Sequence, residues 1–162
     1  MIRTTNSTNA PIVAVDLDNL LVANNGGFDR IDIARFCDRV ATEMGRNCVI
    51  KVFANGMTKG AEAAWAKFGA QVVRTGENAD PYIIDWLFSE ERAEKILIVS
   101  GDHAFANAAR WHSSLKHRVI VYARRARAAY EMVFAADRVD FIDDLLLPQT
   151  RASGSPRSAA FA

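Results

Sequence analysis

The sequence predicts a three-layer α/β/α sandwich with a mainly parallel central sheet. Three observations predict it. Short apolar runs rich in β-branched residues recur along the chain, and stretches with helical spacing separate them. Strands separated by helices join as parallel neighbours through right-handed crossovers. The runs are apolar at successive positions rather than alternating, which suits a sheet covered on both faces. The length of 162 residues is that of one ordinary domain. Half of the residues are apolar and 24% are charged, which permits a core and excludes a disordered composition.

The elements follow in order. Residues 12–15 form the first strand, and Asp16 stands where it leaves the sheet. The segment Asn25-Gly26-Gly27 reads as a turn, because it lacks the lysine and the spacing of a phosphate loop. Residues 29–44 read as a helix. Ile33, Phe36, Val40 and Met44 make one stripe, Asp29 serves as N-cap and Gly45 as stop. Residues 48–53 are the second strand. A helix over 58–68 turns Ala61, Ala64, Trp65 and Phe68 inward and ends at Gly69. Residues 71–73 are the third strand. Asp80-Pro81 opens a helix to about residue 90, with proline at a favoured early position. Residues 96–99 form the fourth strand, and Ser100-Gly101-Asp102 leads into a helix reaching about residue 114. Residues 119–122 are the fifth strand, 126–136 a helix and 139–142 a sixth strand. One domain therefore covers 11–147, between a flexible N-terminus (1–10) and a flexible Ser/Arg/Ala/Gly tail (148–162).

Several classes are excluded. Cys37 and Cys48 stand apart from any Cys-x-x-Cys spacing or nearby histidine, so they read as thiols in a reducing compartment rather than zinc ligands. The first ten residues are polar, with no apolar signal core. No apolar run approaches the roughly 20 residues of a membrane span. The expectation is a cytoplasmic protein without membrane contact.

Chemistry in such folds gathers beyond the carboxyl ends of the strands. The first strand ends in Asp16-Leu17-Asp18-Asn19, the fourth in Ser100-Gly101-Asp102-His103, and Glu77-Asn78-Ala79-Asp80 follows the third. Three strand ends thus deliver acids to one edge. Two charges ~4 Å apart repel by about 4 kcal/mol at an effective dielectric of 20, so such a cluster calls for a cation or a basic group among the carboxylates. Oxygen donors suit Mg²⁺ or Mn²⁺. Asp80 and Asp102 each also read as a helix cap. Asp16, after four apolar residues, has no such reading. Asp18 fits any polar turn. Asp85, inside an apolar helix, reads either as a supporting acid or as solvent face. His103 reads as solvent-facing, with proton transfer as the other reading.

These residues resemble a family. Val15-Asp16-Leu17-Asp18-Asn19-Leu20 is similar to the opening Asp-x-x-Asn motif of NYN domains, within the PIN-like nuclease superfamily. Ala79-Asp80 and the helix to Leu87 are similar to their central acidic motif. Ile98-Val99-Ser100-Gly101-Asp102-His103-Ala104-Phe105 resembles their Ser-Gly-Asp-x-Asp-Phe signature. The stretch from Ala136-Asp137 through Ile142 is similar to the usual end of the domain. The resemblance implies a metal-dependent ribonuclease fold in which Asp16, Asp80 and Asp102 hold Mg²⁺ or Mn²⁺. It implies that Asn19 and Ser100 orient those acids, that RNA or another nucleic acid is the partner, and that pairing into a homodimer is open. Two positions depart from it. Ala104 stands where the signature carries its second acid, and Glu77-Asn78 stands where a lysine is common. The first departure removes a potential ligand. It keeps open a catalytically weakened module that binds nucleic acid or a protein. Asp16-Leu17-Asp18 also resembles the start of haloacid-dehalogenase-type phosphatases, but Leu20 replaces the expected threonine.

The charge sum is 20 basic against 19 acidic residues, a net of +1. That alone argues against a strongly basic nucleic-acid binder. The distribution changes this. Arg110, Lys116, Arg118, Arg124, Arg125 and Arg127 fall between residues 110 and 130 with two histidines and no acid. They read either as a solvated face or as a phosphate-binding flank beside the acidic edge.

Overall fold

The computed structural model describes residues 9–23 and 25–148. Most of the two terminal segments expected to be flexible lies outside these residues. In chain order the elements are β1 (Ile12–Asp16), α1 (Leu17–Leu21), β2 (Arg30–Ile31), α2 (Ile33–Met44), β3 (Val49–Ala54), α3 (Lys59–Lys67) and β4 (Gln71–Arg74). Then come α4 (Asp80–Ser89), β5 (Lys95–Val99), α5 (Ala106–Ser114), β6 (Arg118–Ala123), α6 (Tyr130–Ala135), β7 (Arg138–Phe141) and β8 (Leu146–Leu147). Six strands form one parallel sheet in the order β4-β3-β1-β5-β6-β7.

The expected three-layer α/β/α sandwich is what folds. β1 is buried at all five positions, and its residues alternate between two cores. Ile12 and Ala14 join Ile96, Ile98, Val119 and Val121 under α4, α5 and α6. Val13 and Val15 join Leu97, Val99, Ile120 and Tyr122 under α2 and α3. Each central strand thus serves both cores, which is why the apolar runs do not alternate. The chain leaves β1 outward to β3 and β4. It then returns beside β1 as β5 and proceeds outward to β6 and β7. The reversal opens a crevice at the carboxyl ends of β1 and β5.

Several boundaries differ from expectation. The helix expected from residue 29 begins at Ile33, where Asp32, not Asp29, caps it by accepting from the Arg35 N–H at 3.1 Å. Residues 30 and 31 instead form β2, antiparallel to β8. The stripe of α2 starts only at Ile33, so nothing upstream favours helix. Asp18-Asn19, expected in a loop, lies in the short helix α1. Phe68 is 42% exposed rather than inward. It follows the last residue of α3, where Gly69 turns the chain at φ +83°. The helix expected over 126–136 shortens to α6. Residues 125–127 form a 3₁₀ turn, and Ala128 and Ala129 are extended. The Asn25-Gly26-Gly27 segment is a turn, closed by Ala23 and Gly27 backbone hydrogen bonds. Cys37 and Cys48 are free thiols. Among the described residues, no helix is long and apolar enough to cross a membrane.

Candidate acidic site

Three segments bring acids to the crevice. β1 ends at Asp16, which is 3% exposed, and its last residue pairs in register with Phe53 of β3. The turn after β5 carries Ser100 and Asp102. Asp80 opens α4, but Ala79 holds the capping position, and it is Asn78 Oδ1 that accepts from the Asp80 N–H at 3.2 Å. Asp80 is therefore not a cap. Asp102 is one, because its Oδ1 accepts from the Ala104 N–H at 3.0 Å.

Asp16, Asp18, Asn19, Asp80 and Asp102 line one cavity of about 480 Å³, together with Asn55, Asn78 and Phe28. No basic side chain belongs to its lining among the described residues. The Ser100 hydroxyl organises the floor. It donates to Asp16 Oδ2 at 3.0 Å and accepts from the Asp102 N–H at 3.2 Å. Asn19 Oδ1 approaches the same hydroxyl at 3.4 Å. A hydroxyl has one proton, so the shorter contact to Asp16 takes it. Asp18 Oδ2 accepts from the Asn55 N–H at 2.7 Å and ties α1 to the end of β3.

Burial is the main cause that pushes the Asp16 carboxyl up to about 7. The Ser100 hydrogen bond opposes this, and the charges of Asp80 and Asp102 add to it. Burial and then Asp102 also hold Asp80 above the usual carboxylate range. The pocket is thus an open acidic cleft with no basic side chain in its described lining. Hard oxygen donors in that setting suit Mg²⁺ or Mn²⁺ by chemistry. As the side chains stand, no three acid, histidine or cysteine groups among the described residues converge on one point to hold an ion. Binding one would require carboxylate rotation within the cavity.

The supporting and basic residues divide. Asp85 lies on the exposed face of α4 and does not line the cavity. Ile83, Trp86 and Leu87 take the buried face of that helix, which leaves Asp85 to solvent. His103 is exposed, with Nδ1 3.3 Å from Asp102 Oδ1. Arg124 is turned inward. Its guanidinium donates to the Leu20 and Val22 carbonyls and to Asp29 Oδ2, the last at 2.6 Å. Arg125 is exposed at the acidic edge, its guanidinium 4.3 Å over the Phe141 ring. Lys116 and Arg118 lie elsewhere. Arg118 opens β6, so these two cations sit at the amino edge of the sheet, roughly 17 Å of strand from the acids. Arg110 lies on α5, bonded to Asn107 at 2.6 Å. His112 is fully buried between the Leu87 carbonyl and His117, and burial lowers its pKa.

Sequence reasoning missed three contributors. Asn55 and Asn78 follow strand ends, so the rule that singled out Asp16 could have found them. Gly101 carries a further constraint. A Cβ there would overlap the Arg127 carbonyl, and the Gly101 carbonyl accepts from the Ala129 N–H at 2.8 Å. The Ser-Gly-Asp turn is thereby fastened to the segment that leads into α6.

No family model matches the chain, and no curated protein matches it. Among solved structures it is similar to a protein of unknown function from Vibrio parahaemolyticus. The TM-score is 0.69 at 19% identity, over 88% of this chain and 99% of that one. At that identity the likeness shows the fold alone. A chain from Streptomyces avermitilis named for the HAD hydrolase family aligns at TM-score 0.45 and 15% identity, over 82% and 75% of the two chains. That likeness carries no argument.

Proposed function

We propose that this chain is an NYN-type, metal-dependent ribonuclease that hydrolyses RNA phosphodiester bonds. The observation that carries the reading is Asp16. It is a carboxylate buried at the sheet's reversal point, with Asp80 and Asp102 on the same cavity and no basic side chain among the lining residues described. Uncompensated acids at a topological switch point are costly, and a divalent cation relieves that cost. Asp16, Asp80 and Asp102 are the residues that would hold Mg²⁺ or Mn²⁺. When bound, the metal would lower the pKa of a water and stabilise charge on a phosphoryl oxygen. Ser100 fixes the Asp16 carboxylate, and its bond from the Asp102 N–H sets the spacing between the two acids.

A second reading has its own support. Ala104 leaves the Ser-Gly-Asp turn with one acid, and the carboxylates do not converge as they stand. A weakened module that binds RNA without cutting it fits those two facts. The phosphatase reading fares worse, because Asp18 would have to pass a proton while it accepts from the Asn55 backbone.

The experiment is cleavage of end-labelled single-stranded and structured RNA with Mn²⁺ or Mg²⁺, with and without chelator. Wild type should cut, chelator should abolish cutting, and Asp16→Asn should lose at least about 100-fold. Equal residual activity in wild type and Asp16→Asn overturns the ribonuclease reading. RNA binding without any cleavage selects the second.

A further inference from the structure

We infer that the outer face of α6 is a stacking platform for the unpaired bases of a single-stranded nucleic acid entering the acidic cavity. The inference rests on the nucleic-acid reading above and adds where the strand lies and which strand type is accepted.

Tyr130 is 73% exposed and Phe134 70%, an unusual state for two aromatic rings one helical turn apart. Their ring centroids lie 4.4 Å apart at 46°, so the two rings pack against each other as one exposed aromatic cluster. Val133 adds a third apolar side chain to the outer face, while Met132 and Ala135 anchor the inner one. The platform has a fixed position. The residue before it, Ala129, donates to the Gly101 carbonyl, and Gly101 stands between Ser100 and Asp102 of the acidic cavity. Arg125 and Arg127 belong to the 3₁₀ turn immediately upstream. Arg125 is exposed, Arg127 is half-buried, and neither arginine forms an ion pair among the described residues. Aromatic faces beside cations are the recognition chemistry of unpaired strands: bases stack on rings while the backbone meets the guanidinium groups. A duplex keeps its bases stacked internally and has no face to offer them.

A second copy of the chain is the other occupant to weigh. Fully bared aromatic side chains present 150–250 Å² each, so this patch amounts to roughly 350 Å². A stable dimer needs about 800 Å² from each partner. The apolar patch alone supplies less than half of that area, whereas two or three bases would cover it.

The test measures fluorescence anisotropy of a labelled mixed-sequence 12-nucleotide RNA, its DNA counterpart and the matching RNA duplex. Chelator is present, so that no cleavage occurs. The proteins are wild type, Tyr130→Ser, Phe134→Ser and the double variant, each checked for an unchanged melting temperature and for mass in solution. Both rings are exposed, so folding should persist. Single strands should bind at least tenfold more tightly than duplex, and the double variant should lose about tenfold or more of that affinity, with duplex affinity unchanged. Single-strand affinity equal in wild type and the double variant overturns the platform. So does a wild-type dimer that the double variant dissociates with no change in RNA affinity. Loss of metal-dependent cleavage in Asp16→Asn alongside unchanged binding in the double variant would leave the ribonuclease reading standing and remove this one.

Discussion

At the scale of single residues, Asp16 decides most. It keeps its hydrogen bond from Ser100, yet burial and two acidic neighbours raise its carboxyl to about 7. In the unfolded chain the same group ionises near 3.8. Between those values the folded state binds more protons than the unfolded state, so stability falls as pH rises through the window. Asp16→Asn removes this dependence. Without divalent cation, the stability of the variant relative to wild type should therefore increase from about pH 4 to about pH 7. It should then level off, a change of a few kcal/mol at most. Urea unfolding of both proteins in chelator across that range measures it, and a gap that does not move with pH refutes the account. This residue was legible in the sequence, because four apolar residues deliver it to a strand end. Its electrostatic state was not, since that depends on Asp80 and Asp102 arriving from distant segments. Asp85 was open in the sequence between a supporting acid and the solvent face, and it takes the solvent face. It stands in an apolar helix, but helical geometry carries it to solvent.

At the scale of elements, the strands of the main sheet and the longer helices were readable, and the shortest pieces were not. The stripe of α2 and the apolar runs of β1, β3, β5 and β6 appear where the spacing places them. β2 and β8 have two residues each, too few to show any period, and their pairing spans more than a hundred residues. The same distance effect hid the role of Arg124. In the sequence it belongs to a basic run; in the fold it holds α1 and the following turn through two carbonyls and Asp29, 95 residues away. The Arg124 and Asp29 side chains are only 11% and 17% exposed. Removing one partner strands the other, which typically costs about 3 kcal/mol. Arg124→Ala should therefore lower unfolding free energy by roughly that amount in a denaturant titration. A variant as stable as wild type but weaker in RNA binding would return Arg124 to the phosphate-contacting set.

At the scale of the whole molecule, the parallel sheet sorts charge that the linear sequence runs together. Every β-strand of the main sheet points its carboxyl end to the same edge. Arg125 and Arg127 follow β6 and share the edge with the acids, while Lys116 precedes it and Arg118 opens it, both on the far side. If RNA crosses the acidic edge, Lys116→Ala with Arg118→Ala should change its affinity by less than about twofold. Arg125→Ala with Arg127→Ala should weaken it about three- to tenfold and flatten its salt dependence. Filter binding across a salt series separates the pairs, and equal losses would place the strand elsewhere. The net charge of +1 is accordingly a poor guide to contact with a polyanion.

The central position of β1 has a consequence for synthesis. Its two neighbours are β3 and β5, and the Ser100 hydroxyl that steadies Asp16 comes from 84 residues further along. A nascent chain that has released only the first four strands leaves one edge of β1 unpaired. It also lacks Ser100 and Asp102 altogether. The acidic cleft therefore cannot be complete until β5 lies beside β1. Until then the emerging chain carries an open strand edge and no assembled site.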